Sequence, residues 1–284
     1  MASILDRYGI KEVADVTFYE IDKDSGEQGA PVLYLDTLKV STIEQTAETT
    51  DARGGKGNPK LVTWDYGKDI TVTLEDALFS AKSLSIMFGN GTVAYTAGGE
   101  VTRTVMAKLD KDGALPAYFT ADVYDDTTKG AVRKRVYFAA AAEGETRPAN
   151  SVLLSESGLT VKKITDEEGN ATDVENNSVS APENAEAYDR FFITYTVKVN
   201  KKEIVISADT FPGTYYVTGD TYARSDVDGS DQFFQFIIPK AKVTSENTIT
   251  LEAEGDPSVF NMNLSVLRPE DGDMMKLVQY DLAE

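Results

Sequence analysis

Apolar and polar residues alternate with a period of two through most of this chain, and that pattern restricts its fold more than any other feature. Successive side chains on a strand point to opposite faces, so such alternation describes sheets with one buried and one wet face. Residues 260–267 show it best. Phe260, Met262, Leu264 and Val266 fall on one side, and Asn261, Asn263 and Ser265 on the other. The same reading places strands at residues 15–19, 32–40, 61–66, 70–74, 101–109, 118–124, 132–139, 159–164, 191–199, 204–208, 215–218, 233–238, 248–253 and 277–281. Gly67-Lys68-Asp69 then reads as a tight hairpin turn between two short strands.

Residues 75–88 break the alternation. Ala77, Ala81, Leu84 and Phe88 recur at i, i+4, i+7 and i+11, a helical stripe. Thr73 is the expected N-cap, with Asp76 completing an Asp variant of the capping box. Glu75 and Asp76 suit the positive end of the helix dipole, and Gly89 or Gly91 supplies a left-handed stop. One helix of about three turns, packed on a sheet, is predicted.

Two loops are expected. Residues 46–60 hold almost no apolar side chain, but three glycines and Pro59, a long connection of the kind that either functions or is disordered. Residues 164–189 carry eight acids and no Lys or Arg, which reads as a solvated, mobile excursion.

Composition narrows the chemistry. The 284 residues include 28 Lys and Arg against 47 Asp and Glu, a net charge of −19, with no histidine and no cysteine. A Ser-His-Asp triad, a Cys-His pair, a disulfide and a zinc site of imidazole or thiolate are therefore excluded. Carboxylates, Lys, Tyr and hydroxyls remain, which leaves carboxylate glycosidases open, but 47 acids make no single pair informative. The charge opposes attraction to DNA phosphate and to anionic membranes. No apolar stretch approaches a bilayer span, and the first residues have neither the basic nor the apolar region of a secretory leader.

Individual motifs read as structure. Asp22-Lys-Asp-Ser-Gly26, Asp110-Lys-Asp-Gly113 and Asp226-Val-Asp-Gly-Ser-Asp231 lack the remaining ligands of a calcium loop and read as β-turns. Gly54-Gly55-Lys56-Gly57 precedes a strand rather than a helix, so it is no phosphate loop. Arg53 and Lys56 there read as a basic, adaptable contact on an acidic protein. Trp64, the sole tryptophan, reads as core or interface before sugar platform. No catalytic, cofactor or metal site is expected.

Residues 52–91, ARGGKGNPKLVTWDYGKDITVTLEDALFSAKSLSIMFGNG, carry a resemblance. A glycine-rich basic loop, the Gly57-Asn58 pair, a strand, a turn, a strand and a helix opening at Asp76 to Ser80 follow in order. Together with residues 259–282, this resembles the tail tube (major tail) proteins of long-tailed bacteriophages. The resemblance covers roughly the first hundred and last fifty residues. It implies an all-β fold with one flanking helix: a pair of packed β-sheets, sandwich or barrel, with an inserted β-rich region. Residues 1–93 and 231–284 would form the tube core, and residues 94–230 the insertion or an elaboration.

The resemblance also implies homohexameric rings stacked into a tube within the virion, made in the host cytoplasm. Tape measure, sheath, baseplate and terminator proteins would be its other partners. Double-stranded DNA would pass the lumen without specific binding, with no membrane insertion. The loop at 46–60 would contact the neighbouring ring or subunit through Thr46, Asp51, Arg53, Gly54, Gly55, Lys56, Gly57, Asn58 and Lys60. A wall of acids suits such a lumen, because duplex DNA carries one phosphate charge per roughly 1.7 Å. A carbohydrate-binding β-sandwich adhesin, or another virion protein, is the alternative.

Overall fold

The computed structural model describes residues 7–10, 12–22, 24–89, 91–139, 147–181, 185–245, 249, 259–270 and 272–280. The chain opens with β1 (Tyr8–Ile10), β2 (Asp15–Ile21), β3 (Gln28–Leu35), β4 (Leu38–Arg53), β5 (Lys60–Asp76) and the helix α1 (Ala81–Phe88). There follow β6 (Ala94–Lys108), β7 (Tyr118–Asp125), β8 (Gly130–Tyr137), β9 (Ser151–Leu153), β10 (Leu159–Asp166), β11 (Ala171–Asp173) and β12 (Arg190–Glu203). The chain closes with β13 (Thr214–Ser225), β14 (Asp231–Val243), β15 (Phe260–Val266) and β16 (Lys276–Tyr280). The fold is all-β with one α-helix among the described residues, as the alternation predicts.

Two compact units divide the chain: Met1–Ala94 with Lys202–Glu284, and Tyr95–Lys201. The second unit ends at Lys201 rather than at residue 230, because β13 pairs with both β2 and β14 in the first unit's sheet.

The first unit is one sheet in the order β3-β2-β13-β14-β15-β5-β4, with β1 added on β13 and β16 on β14. Strand β14 serves two partners on its far side: Phe233 to Ile237 pair with β16, and Ala241 to Val243 with β15. Pro239 lies between those stretches, where Tyr215↔Ala241 gives way to Val217↔Ile238 with a register shift. Proline has no N–H for a ladder, so the bulge is where this strand tolerates it. Leu35 at the end of β3 and Leu38 and Leu74 of β4 and β5 line one small cavity with Met87 and Met262. Val16, Phe18, Val72, Leu74, Val217, Ile238 and Leu264 are fully buried in this core, and Ile86 of α1 caps it. Each such side chain contributes about 1.5–3 kcal/mol. At Gly219 the Phe236 ring takes the space a side chain would occupy: an added Cβ would lie 2.1 Å from two ring carbons.

The helix is shorter than its stripe suggests. Strand β5 runs to Asp76, held by ladders to both β4 and β15, so Thr73 and Asp76 are strand residues. The N-cap is Ser80, whose hydroxyl accepts from Ser83 N–H at 3.0 Å while Ser83 Oγ accepts from Ser80 N–H at 2.9 Å. The capping box is therefore Ser80–Ser83. Asp76 instead accepts from the Leu78 N–H and the Thr37 hydroxyl. Gly91, at φ +78°, takes the left-handed position, and Gly89 is extended. Residues 204–208 form no strand, and Val205 and Ile206 are exposed there. The expected strand at 248–253 falls mostly outside the described residues.

The second unit has a sheet β11-β10-β12-β6 and a sheet β7-β8-β9. Their shared core holds Phe119, Val123 and Val136 with Val161, Ile164, Phe191 and Ile193. The acidic stretch expected to be a mobile excursion is partly built into this unit. Strand β11 pairs with β10, Val174 N–H donates to Lys162 C=O, and Val179, Ala181 and Ala185 pack against the core. Small apolar residues interleaved with the acids supply that inward side. The Asp-rich segments are turns: Asp22 accepts the Asp24 and Ser25 N–H groups, and Asp110 those of Asp112 and Ala114.

Candidate assembly surface

Strands β4 and β5 make a hairpin far longer than the sheet that anchors it. Near its base, Thr71 to Asp76 pair with β15 on one side and with β4 on the other. Beyond Ile70, among the described residues, β5 pairs with β4 alone, from Thr46↔Asp69 out to Arg53↔Lys60. Eight residues at roughly 3.4 Å each give a two-stranded ribbon of about 25 Å beyond the sheet. Residues 46–60 are therefore not one long loop. Thr46, Asp51 and Arg53 lie on β4, Lys60 opens β5, and residues 54–59 form the turn. A strand wet on both faces shows no apolar alternation, which is why its polar sequence reads as a loop.

Gly67-Lys68-Asp69 is likewise no turn. The register shifts between Thr46 and Glu48, opposite Gly67 at φ +60°. Glycine here supplies the left-handed residue of a β-bulge, and β5 continues as one strand of 17 residues.

The tip is built from left-handed positions. Gly55, Gly57 and Asn58 have φ of 82°, 86° and 49°. The turn closes with Asn58 N–H donating to Gly55 C=O at 3.1 Å and Gly54 N–H to Pro59 C=O at 3.3 Å. The Gly57-Asn58 pair is thus a backbone requirement, since those two residue types enter this region most readily.

The two faces of the ribbon differ. On one, Val62, Trp64 and Tyr66 stand opposite Ala52, Thr50 and Glu48, and all three are about half exposed. On the other, the Asp51 carboxylate accepts from Lys60 Nζ at 2.7 Å, the Thr63 hydroxyl at 2.8 Å and Arg53 at 3.2 Å. Asp51, Arg53 and Lys60 are thus brought together, and Arg53 is already ion-paired within the hairpin. Lys56, at the tip, has no ion pair among the described residues. Trp64 reads from the sequence as core or interface, and it stands here with Val62 and Tyr66, which that reading passes over. Their signal was an alternating strand beside a partner too polar to bury it.

The Lys60 hydrogen bond above all, then those of Thr63 and Arg53 against an opposing desolvation, holds the Asp51 carboxyl below its ordinary pKa of 3.8. A depressed carboxylate stabilises the folded form above its unfolded pKa, and that contribution is lost as pH falls through the folded one. The outer ribbon is expected to loosen below about pH 4. Amide exchange at Thr63 and Val62 should accelerate there in the parent, with a smaller change in Asp51→Asn. Equal pH dependence in both would remove Asp51 as the cause.

A two-stranded hairpin alone is at best marginally stable in water, and an exposed apolar stripe marks a contact surface. This ribbon is suited to being covered by another polypeptide.

A protein-family model matches the chain over residues 8–116 and 134–279; it describes the YomU/Tube protein family. A search of curated proteins finds no match.

Proposed function

Because the chain belongs to the YomU/Tube protein family, a family of phage tube-type structural proteins, we propose that it is a tail tube subunit that assembles with itself into stacked hexameric rings. The observation that carries this reading is the β4–β5 ribbon, which extends beyond its sheet with an aromatic stripe and an ion-paired face both open. In the assembled tube the stripe of Val62, Trp64 and Tyr66 lies against a neighbouring subunit, removing apolar area from water. The tip, from Gly54 to Asn58, meets the next ring. Lys56 faces acids there, as the charge of −19 per chain favours. Rings closed by repeated identical contacts also cover strand edges that would otherwise aggregate.

The subunit contributes geometry rather than chemistry. Repeated acids along the lumen repel duplex phosphate and let DNA slide without capture. The remaining partners are tail proteins that meet the tube at its ends, along its bore or around it: terminator, baseplate, tape measure and sheath. Negative-stain electron microscopy of the purified chain, alone and with its cognate tail components, tests the proposal. Rings or tubes of constant diameter are expected. A chain that stays monomeric at high concentration in both settings refutes it.

A further inference from the structure

A local reversal of charge in the second unit stands against the −19 of the whole chain. Strand β6 ends one sheet of that unit and β7 ends the other. A cleft of about 630 Å³ is lined by Thr104 to Lys108 of β6 together with Pro116, Tyr118, Phe119, Thr120 and Arg133. None of these lining residues is acidic. Asp122 stands opposite Arg133 in the β7–β8 ladder, but it is paired with Arg103 at 2.9 Å. No ion pair of Arg133 or Lys108 occurs among the described residues. Two cations thus face the cleft uncompensated.

The walls are equally specific. Five successive residues can line a cleft only where a strand presents its edge, because alternate side chains point apart. Backbone N–H and C=O groups of β6 therefore open onto it, with no ladder on that side among the described residues. Tyr118 is fixed in place by Arg135, whose guanidinium carbon lies 5.1 Å from its ring centre, and by Tyr137 at 5.2 Å. Pro116 adds a second rigid apolar surface and Thr120 a hydroxyl. The cleft is also short. Five strand residues span roughly 17 Å, and Arg103, next to Thr104 on β6, is held to Asp122 of β7.

We propose that this cleft binds an acidic sugar, as a short stretch of a carboxylate-bearing polysaccharide. The C–H face of a pyranose ring lies against Tyr118 and Pro116. Its hydroxyls exchange hydrogen bonds with Thr120 and the β6 edge, and its carboxylate meets Arg133 and Lys108, the charge-assisted pairing that fixes orientation. An acidic peptide adding to the β6 edge is the rival occupant, and pentaglutamate tests it. A nucleic acid strand would bring a dense row of phosphates to an acidic protein with only two free cations to receive it.

The test is titration of the full chain with trigalacturonate, followed by calorimetry and by amide chemical shifts. Saturable binding at one site per chain is expected, with shifts confined to β6, β7 and the residues joining them. Neutral galactotriose should bind at least tenfold more weakly. Arg133→Gln and Lys108→Gln should each weaken trigalacturonate at least tenfold, with an unchanged melting curve showing that they fold. Three outcomes overturn the proposal: no binding of trigalacturonate, shifts spread outside the cleft, or equal binding of pentaglutamate or oligo(dT). The shift map on the parent chain decides even if a substitution fails to fold.

Discussion

Chains carrying Trp64→Ser together with Tyr66→Ser are expected to fold as the parent does and to form no tubes at concentrations where the parent assembles fully. Both side chains are about half exposed in the single subunit and lie on the part of β5 that, among the described residues, pairs with β4 alone. Truncating them removes little from the subunit's own core, so the melting curve should move by no more than a degree or two. At an interface, aromatic anchors are the residues whose truncation costs most, about 2 kcal/mol or more each. Two of them amount to ~4 kcal/mol per contact, which raises the concentration needed for assembly about a thousandfold. Sedimentation of assembled material against total protein concentration measures this directly. Tubes forming at the parental concentration would show that the stripe is not covered in the assembly. A folding defect would appear in the melting curve instead, so the two failures are separable.

The strands of the core were legible because each has one buried face. Phe260, Met262, Leu264 and Val266 are buried as their alternation predicts. What alternation could not reveal were strands with a different environment. Thr46 to Arg53 is a strand wet on both faces, so nothing in its composition distinguishes it from a loop. Glycines misled in two ways. Gly67 reads as a turn but is a bulge within one long strand, and the strand expected at residues 215–218 in fact runs on through Gly219 to Ser225. In both cases pairing overrides the local preference, with the other arm of the hairpin at Gly67 and with β2, about two hundred residues away, at Gly219. The helix start failed for a related reason. Thr73 and Asp76 make a plausible cap, but β15, nearly two hundred residues away, holds them extended. At the candidate surface, Arg53 and Lys56 look equivalent in sequence, and only the folded hairpin shows that Asp51 pairs with one, while the other has no ion pair among the described residues. A polar segment's cross-strand contacts follow from register, which a single sequence does not carry.

Gly219 gives the second large effect. A glycine inside a central strand costs backbone entropy and leaves a gap in the side-chain layer, so its presence in β13, between β2 and β14, calls for a compensating contact. That contact is the Phe236 ring from the paired position on β14. Its Cε1 and Cζ would each lie 2.1 Å from a Cβ at residue 219. The ring is 3% exposed, and fully buried Phe18, Val217 and Ile238 share its core, so it has little room to swing aside. Gly219→Val should therefore destabilise the first unit by about 3 kcal/mol or more, lowering Tm by roughly 6–12 °C for a domain of this size. Steric conflict with one ring also predicts its own relief. Phe236→Ala alone opens a cavity and is itself costly, but the double substitution Gly219→Val with Phe236→Ala should be less destabilised than the sum of the two single changes, with a coupling of about 1–3 kcal/mol. Additive losses in that cycle would mean that the glycine is required by the backbone, and not by the ring lying over it.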